Sequence, residues 1–280
     1  MPTTAPIAQA PVNLAGWAAL FDHAALPVLA ETAAALEELR ANEDAVDARW
    51  LADVIAADPL MTNKLLAHVA HVRRGREGSE VETVTEALVM LGIPPFFRAF
   101  GPQDSAETRL ADQPEALDGF QRVLRRSRRA ARFAMSFAVH RMDHDAGVIH
   151  EAALLHDFAE LLLWLRAPTL ALQIDARQQA DATLRSAAVQ RELLNIELDE
   201  LEHALMLQWR LPSLLVHITD ERATQVTAQM RNVQLAMRVA RHSAKGWDNA
   251  ALPDDVADVA RLLNLAPDAA LRLLHEIDAD

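Results

Sequence analysis

The segment EAALLHDFAELLLWLRAP (residues 151–168) is the most apolar stretch of the chain. Its apolar residues lie on every side of a helical projection, which predicts a central helix that is buried all round. We expect this helix to cover residues 149–166 and to end at Pro168. His156, Asp157 and Glu160 stand inside it, and each needs a reason to be there. A buried charged group is costly unless it is paired, hydrogen-bonded or bound to a metal.

Helical patterns continue on both sides of this segment. A long helix is predicted from about Leu117 to Met142, with a break at 143–147 before the apolar segment. Asp58 is suited to cap a helix whose first turn carries Pro59. Apolar stripes at helical spacing predict further helices over residues 26–40, 80–91, 169–180, 183–195, 198–210, 212–222, 226–244, 254–264 and 267–277.

The composition excludes several fold classes. The chain has 280 residues, of which 51% are apolar and 24% charged, so it can bury a core and is not wholly disordered. It has 8 glycines and no tyrosine, which disfavours a strand-rich fold. The glycines form neither GxGxxG nor a P-loop. We expect an all-α fold with two helical lobes, the first over 17–113 and the second over 114–280, after a flexible arm over 1–16.

Charge and cysteine usage limit the partners. Lys and Arg number 27 against 40 Asp and Glu, so the formal net charge is −13 and duplex DNA is disfavoured as a partner. The absence of cysteine excludes disulfides, thiolate zinc sites and cysteine nucleophiles, and is typical of a cytoplasmic protein. No run of 18 apolar residues predicts a membrane span. Prolines interrupt the uncharged N-terminal arm, which favours an arm over an export signal.

Several motifs resemble one family in the same order along the chain. "AALLHDFAELLLW" resembles the "LLHDIGKL" element of HD-type proteins, in particular the HDOD regulatory domain. "VIAADPLMTNKLLAHVAHV" and "VETVTEALVMLGIPPFFRAF" resemble the preceding HDOD elements, and "LLNIELDELEHALMLQWRLPSLLVHIT" and "VQLAMRVAR" resemble the following ones. The resemblance covers roughly residues 22–244. It implies that the second lobe is an HD-like helical bundle.

The resemblance also implies a reduced metal-ligand set. His156 and Asp157 match the HD doublet, but the early histidine position falls at or near Arg126 and the "DHAE" histidine is replaced by Leu198. Arginine cannot ligate a metal, and a stable site usually needs three or four protein ligands. We therefore expect no metal or cofactor, and a non-catalytic domain that acts on protein partners in a bacterial signalling pathway. The alternative is a metal-dependent phosphohydrolase or phosphodiesterase with an unusual ligand set.

A basic cluster is the second candidate site. It consists of Arg122, Arg125, Arg126, Arg128, Arg129 and Arg132. Such a cluster is suited to a phosphate group, a nucleotide second messenger or an acidic partner, because guanidinium groups pair with oxyanions in a bidentate way. It is equally compatible with a solvated helix face.

Two further groups each allow two interpretations. His140, His144 and His150 lie near His156 along the chain, and they could form a metal site outside the family pattern or serve as ordinary polar residues. Phe96, Phe97 and Phe100 follow two prolines, and they could form a hydrophobic docking patch or complete a core.

Overall fold

The computed structural model describes residues 6–74, 80–181, 183–220 and 222–279. In these ranges the chain forms no β-strand, and one isolated parallel bridge joins Val28 to Ser105. The predicted all-α class is confirmed. The helices are α1 (Leu14–Ala18), α2 (Ala30–Ala41), α3 (Ala48–Ala56), α4 (Pro59–Val72), α5 (Val84–Leu91), α6 (Ile93–Ala99), α7 (Ala106–Arg109), α8 (Pro114–Arg141), α9 (Ala146–Leu155), α10 (Phe158–Arg166), α11 (Pro168–Ala180), α12 (Ser186–Leu194), α13 (Leu198–Trp209), α14 (Ser213–Thr219), α15 (Ala228–His242), α16 (Leu252–Leu263) and α17 (Pro267–Ala279), with short 3₁₀ helices at His23–Ala25 and Glu43–Ala45.

The helices belong to two compact units, each of which is discontinuous in sequence. Unit 1 comprises Met1–Val123 and Asp157–Pro212, and unit 2 comprises Leu124–His156 and Ser213–Asp280. The boundary that the sequence suggests between residues 113 and 114 falls inside unit 1. The long helix α8 starts in unit 1 and ends in unit 2.

A buried N-terminal cap organises the first half of unit 1. Asp58 is fully buried before α4, and its carboxylate accepts the backbone N–H groups of Leu60 at 2.8 Å and Met61 at 3.1 Å. It also accepts the N–H of Leu29 at 2.8 Å, which holds the chain before α2 against the start of α4. The predicted cap at Asp58–Pro59 is confirmed, and the same residue also makes a tertiary contact.

The N-terminal arm is attached to unit 1. The N–H of Ile7 donates to the carbonyl of Arg166 at 2.8 Å, and Asn195 donates to the carbonyl of Pro11 at 3.1 Å. Asn13 caps α1, where Trp17 is buried and donates to the carbonyl of Leu194 at 2.8 Å. Residues 6–16 thus contact unit 1 through hydrogen bonds, and the flexibility of the arm over 1–16 stays a prediction. Residues 1–5 lie outside the described residues, as do residues 75–79 of the predicted loop after α4.

Close packing brings α8 against α10 within unit 1. A methyl group added at Gly119 on α8 would lie 2.4 Å from the ring of Trp164, so this approach requires glycine. Elsewhere in unit 1, Pro94 and Pro95 follow the end of α5. They occupy the first turn of α6, so they mark the start of this helix.

Unit 2 is a bundle around α9 and α15. Helix α9 packs against α14 and α15, α15 against α16, and α16 against α17. Asn232 on α15 is buried and donates to the carbonyl of Ala134 on α8 at 3.2 Å. The predicted break after α8 is confirmed: Met142 has a φ of 56°, and the N–H of Asp143 returns to the carbonyl of Ala138.

The expected single helix over 149–166 is wrong. Helix α9 ends at Leu155 and α10 begins at Phe158, with His156 and Asp157 at the junction. The N–H groups of Glu160 and Leu161 both return to the carbonyl of Asp157, which starts a new helical turn there. His156, Asp157 and Glu160 are half-buried, so their desolvation is smaller than a central helix would impose.

Candidate functional site

The HD doublet occupies the junction between the two units in sequence. His156 follows α9 as the last residue of its segment of unit 2, and Asp157 precedes α10 as the first residue of its segment of unit 1. Of the positions matched to the other ligands, Arg126 lies half-buried on α8 and Leu198 is the buried first residue of α13. Neither side chain can replace a histidine as a metal ligand.

The donor set does not fit a metal of the HD type. Over the residues that the structure describes, no group of three or more His, Asp or Glu side chains is arranged so that it could hold a metal ion. His140 and His144 are exposed, whereas His150 is half-buried on α9. Burial lowers the pKa of His150 to about 4, so this imidazole is neutral near pH 7. The described part of the chain therefore does not assemble the alternative histidine site.

The arginine cluster lies on α8, which starts in unit 1 and ends in unit 2, so its members belong to different units. Arg122 forms ion pairs with Asp118 and with Asp175 at 2.6 Å, both in unit 1. Arg129 points into unit 2, where both of its terminal donors and its Nε are used. It pairs with Asp278 at 2.7 Å and donates to Ser243 Oγ at 2.9 Å and the carbonyl of Ala240 at 3.2 Å. These two arginines join helices within their own units, so they are poor candidates for a free binding face.

The remaining members of the cluster differ in accessibility. Arg126 and Arg128 are half-buried, whereas Arg125 and Arg132 are exposed. Arg125 and Arg132 make no ion pair with any described residue. They are the part of the predicted interaction face that stays accessible.

The phenylalanine patch is part of the core of unit 1. Phe96 and Phe97 are 0% and 3% exposed, and Phe100 is also buried. The guanidinium of Arg40 lies 5.2 Å from the ring centre of Phe97 and donates to the carbonyls of Phe97 and Phe100. The docking interpretation of Phe96 and Phe97 is therefore wrong, because no ring face is available to a partner.

Comparison with known families agrees with the order of the motifs. The HDOD domain family model matches residues 26–224, which is more than half of the chain. The chain belongs to the HDOD family.

Solved structures share the HDOD fold of this chain. The MmoQ response regulator of Methylococcus capsulatus is 24% identical, with a TM-score of 0.68 over 89% of this chain and 98% of that one. A virulence factor of Campylobacter jejuni is 16% identical, with a TM-score of 0.62 over 85% of each chain. A search of curated proteins gives no match.

Unit 2 of this HDOD chain also contains a cavity that the sequence reasoning missed. Its volume is about 900 Å³, and it is lined by Arg141 at the end of α8, by Arg261 on α16 and by three arginines of α15. Those three are Arg231, Arg238 and Arg241. Their spacing of seven and three residues places them on one helix face, so the sequence did carry a signal. His156 of the doublet lines the same cavity.

Proposed function

We propose that the protein is a non-catalytic regulatory domain that passes a signal to protein partners in a bacterial cytoplasm. The observation that carries the proposal is the residue set around the doublet. His156 and Asp157 remain, but Arg126 and Leu198 occupy the matched ligand positions. Hydrolysis by an HD-type metal centre needs several ligands that hold the ion and leave a position for water.

The signalling role is supported by the family and by the fold. The HDOD model covers most of the chain, and a protein named as a response regulator shares the fold over 89% of this chain. No helix within the described ranges has the length and hydropathy to cross a bilayer. A regulatory domain of this kind needs an accessible surface that a partner can recognise.

Helix α8 offers such a surface in unit 2. We call it the α8 stripe, and it consists of Arg125, Arg132, Val139 and Met142. The first three are seven residues apart, so they follow one side of the helix. Val139 is 62% exposed and Met142 84% exposed, and neither arginine forms an ion pair with a described residue, while the charge of Arg132 helps to lower the pKa of Asp278. This combination suits an acidic protein segment with an apolar anchor, because rim charges steer the partner and apolar contacts retain it.

The test is a binding titration. Proteins captured from native lysate by the wild-type chain are purified and titrated against wild type and against R125Q/R132Q. We expect the double variant to bind about tenfold more weakly at low salt and the difference to shrink at high salt. The matched control is R49Q/R272Q, which removes two exposed arginines that lie outside the stripe. Equal affinities of all three proteins for every captured partner would refute the role of the α8 stripe.

The non-catalytic part of the proposal has a separate test. The purified protein is incubated with a chromogenic phosphodiester and Mn²⁺ or Mg²⁺, and H156A is measured beside it. We expect no turnover above the blank. Metal-dependent hydrolysis that is lost in H156A while the melting temperature is unchanged would establish the enzymatic alternative instead.

A further inference from the structure

The arginine-lined cavity of unit 2 has features that neither the α8 stripe nor the HD doublet accounts for. Five guanidinium groups from α8, α15 and α16 line about 900 Å³ of space, and among the lining residues that the structure describes Asp258 is the one carboxylate. This gathering occurs in a chain whose formal net charge is −13. Like charges repel when they are brought together, so a fold that collects them gains from an anion in the same place.

Three of the five arginines are held by carboxylates. Arg238 pairs with Asp255 at 2.5 Å and with Asp258 at 2.9 Å, and Arg261 also pairs with Asp258. Asp255 is fully buried, so it fixes one end of this network in the unit.

Arg141, at the end of α8, is also held by a carboxylate and a backbone carbonyl. It pairs with Asp143 at 3.0 Å and donates to the carbonyl of Leu262 at 3.2 Å. Arginines that are oriented in this manner lose less conformational entropy when they bind a ligand.

Arg231 and Arg241 supply the uncompensated charge. Both line the cavity and are exposed, and neither forms an ion pair with any residue that the structure describes. They are ten residues apart on α15, which corresponds to roughly 15 Å along the helix axis. Their backbone positions are well separated along the cavity, which suits a ligand with two separated anionic groups.

The rest of the lining suits a small organic ligand. Thr227 caps α15 and Ala228 is its first residue, and the N-terminal end of this helix carries a partial positive charge. Leu235, Met237 and Leu262 add apolar surface. The volume lies in the range of small-molecule pockets, roughly 300–1,000 Å³.

We propose that this cavity binds a small molecule that carries at least two phosphate groups. Arg231 and Arg241 contact different phosphates, and the carboxylate-held arginines form the rigid wall between them. The site is separate from the α8 stripe, so the two proposals stand or fall independently. A ligand bound here would supply the input of a regulatory domain whose output is a protein contact.

Binding is measured by calorimetry on the purified full chain with four probes: inorganic phosphate, tripolyphosphate, ATP and adenosine. We expect tripolyphosphate and ATP to bind at least about tenfold more tightly than phosphate, and adenosine not to bind, because charged hydrogen bonds to two phosphates dominate. Tighter binding of ATP than of tripolyphosphate identifies a nucleotide, and equal binding identifies an inorganic polyphosphate. Both results support the site.

The decisive variant is R231Q/R241Q, with R49Q/R272Q as the control of equal charge change. We expect a loss of at least about tenfold in the affinity for tripolyphosphate in the first variant and less than about twofold in the control. Equal losses in both variants would mean a general charge effect and would overturn the site. Failure of wild type to bind tripolyphosphate or ATP at low salt would overturn it as well.

A measurement on wild type covers the case in which the variant does not fold. Phenylglyoxal labelling with and without tripolyphosphate, read by mass spectrometry, should show protection of Arg231 and Arg241 and none of Arg49 and Arg272. Unchanged labelling of Arg231 and Arg241 under saturating probe would contradict the proposal. Hydrolysis of the probe would overturn the non-catalytic function while it supports the binding site.

Discussion

The buried amine of Lys64 should make unit 1 more stable as the pH rises from about 8 to 10.5. Lys64 is 8% exposed on α4, and its Nζ donates to the carbonyl of Leu26 at 2.8 Å and to Gln103 Oε1 at 2.5 Å. Burial, reinforced by Arg109, lowers the pKa of Lys64 from 10.5 to about 8, although Asp104 and other carboxylates oppose the shift.

The direction in which the free energy of unfolding changes with pH depends on which state, folded or unfolded, keeps Lys64 protonated. Between pH 8 and 10.5 the unfolded chain keeps Lys64 protonated while the folded chain releases the proton, so the free energy of unfolding rises with pH. The gap between the two pKa values, at about 1.4 kcal/mol per unit, sets an upper limit of about 3.5 kcal/mol. The neutral amine still donates two hydrogen bonds, so both contacts survive deprotonation.

This chain is well suited to the measurement. It has no tyrosine or cysteine, and Lys245 is its one other lysine, so few other side chains titrate in this window. Urea unfolding is followed by circular dichroism at several pH values for wild type and for K64M. The midpoint of wild type should rise between pH 8 and 10.5, whereas that of K64M should stay nearly level. A level or falling midpoint in wild type, or the same rise in K64M, would refute the reasoning.

Three further predictions concern stability. D58A should lower the free energy of unfolding of unit 1 by about 2–4 kcal/mol, because three buried backbone N–H groups lose their acceptor, and D58N should recover part of the loss in urea titrations. G119A should lower the free energy of unfolding by about 1–3 kcal/mol, because the added methyl group clashes with Trp164, and it should change the fluorescence of that tryptophan. A melting temperature equal to that of wild type would contradict the close packing of Gly119 against Trp164. R129Q should destabilise unit 2 by about 1–3 kcal/mol because Asp278 keeps the indole N–H of Trp247 but loses its arginine partner. R125Q should change stability by less than about 0.5 kcal/mol, and equal effects of the two variants in thermal melts would show that Arg129 is not structural.

The helices were largely predictable because their signals are local. Asp58 followed by Pro59 marks a helix start through hydrogen bonds within one turn, and the structure shows this cap. The break between α9 and α10 was not predictable in the same way. The sequence around His156 and Asp157 is helical in pattern on both sides, so the end of α9 depends on tertiary packing that local propensity does not encode.

Burial of the phenylalanines shows a second limit of prediction from the sequence. Phe96, Phe97 and Phe100 have the spacing of one helix face, and the same spacing serves a core or an exposed patch. The choice depends on Arg40, more than fifty residues away in sequence, whose guanidinium covers Phe97 and ties its backbone to α2. A contact of this range leaves no mark in the local pattern.

The two groups of arginines show that the number of arginines in a segment is a weaker guide to a binding site than their spacing along the helix. Six arginines within eleven residues of α8 occupy less than half of the helix circumference. They meet different environments because α8 starts in unit 1 and ends in unit 2: Arg122 binds carboxylates of unit 1, and Arg129 binds Asp278 of unit 2. On α15, three arginines are distributed over the same length at intervals of seven and three, and they face one cavity. A ligand that bridges separated charges needs guanidinium groups that line one cavity, and the number of arginines in a segment does not ensure this. The α15 arginines give the weaker sequence signal but line one cavity, and the polyphosphate titration tests that cavity directly.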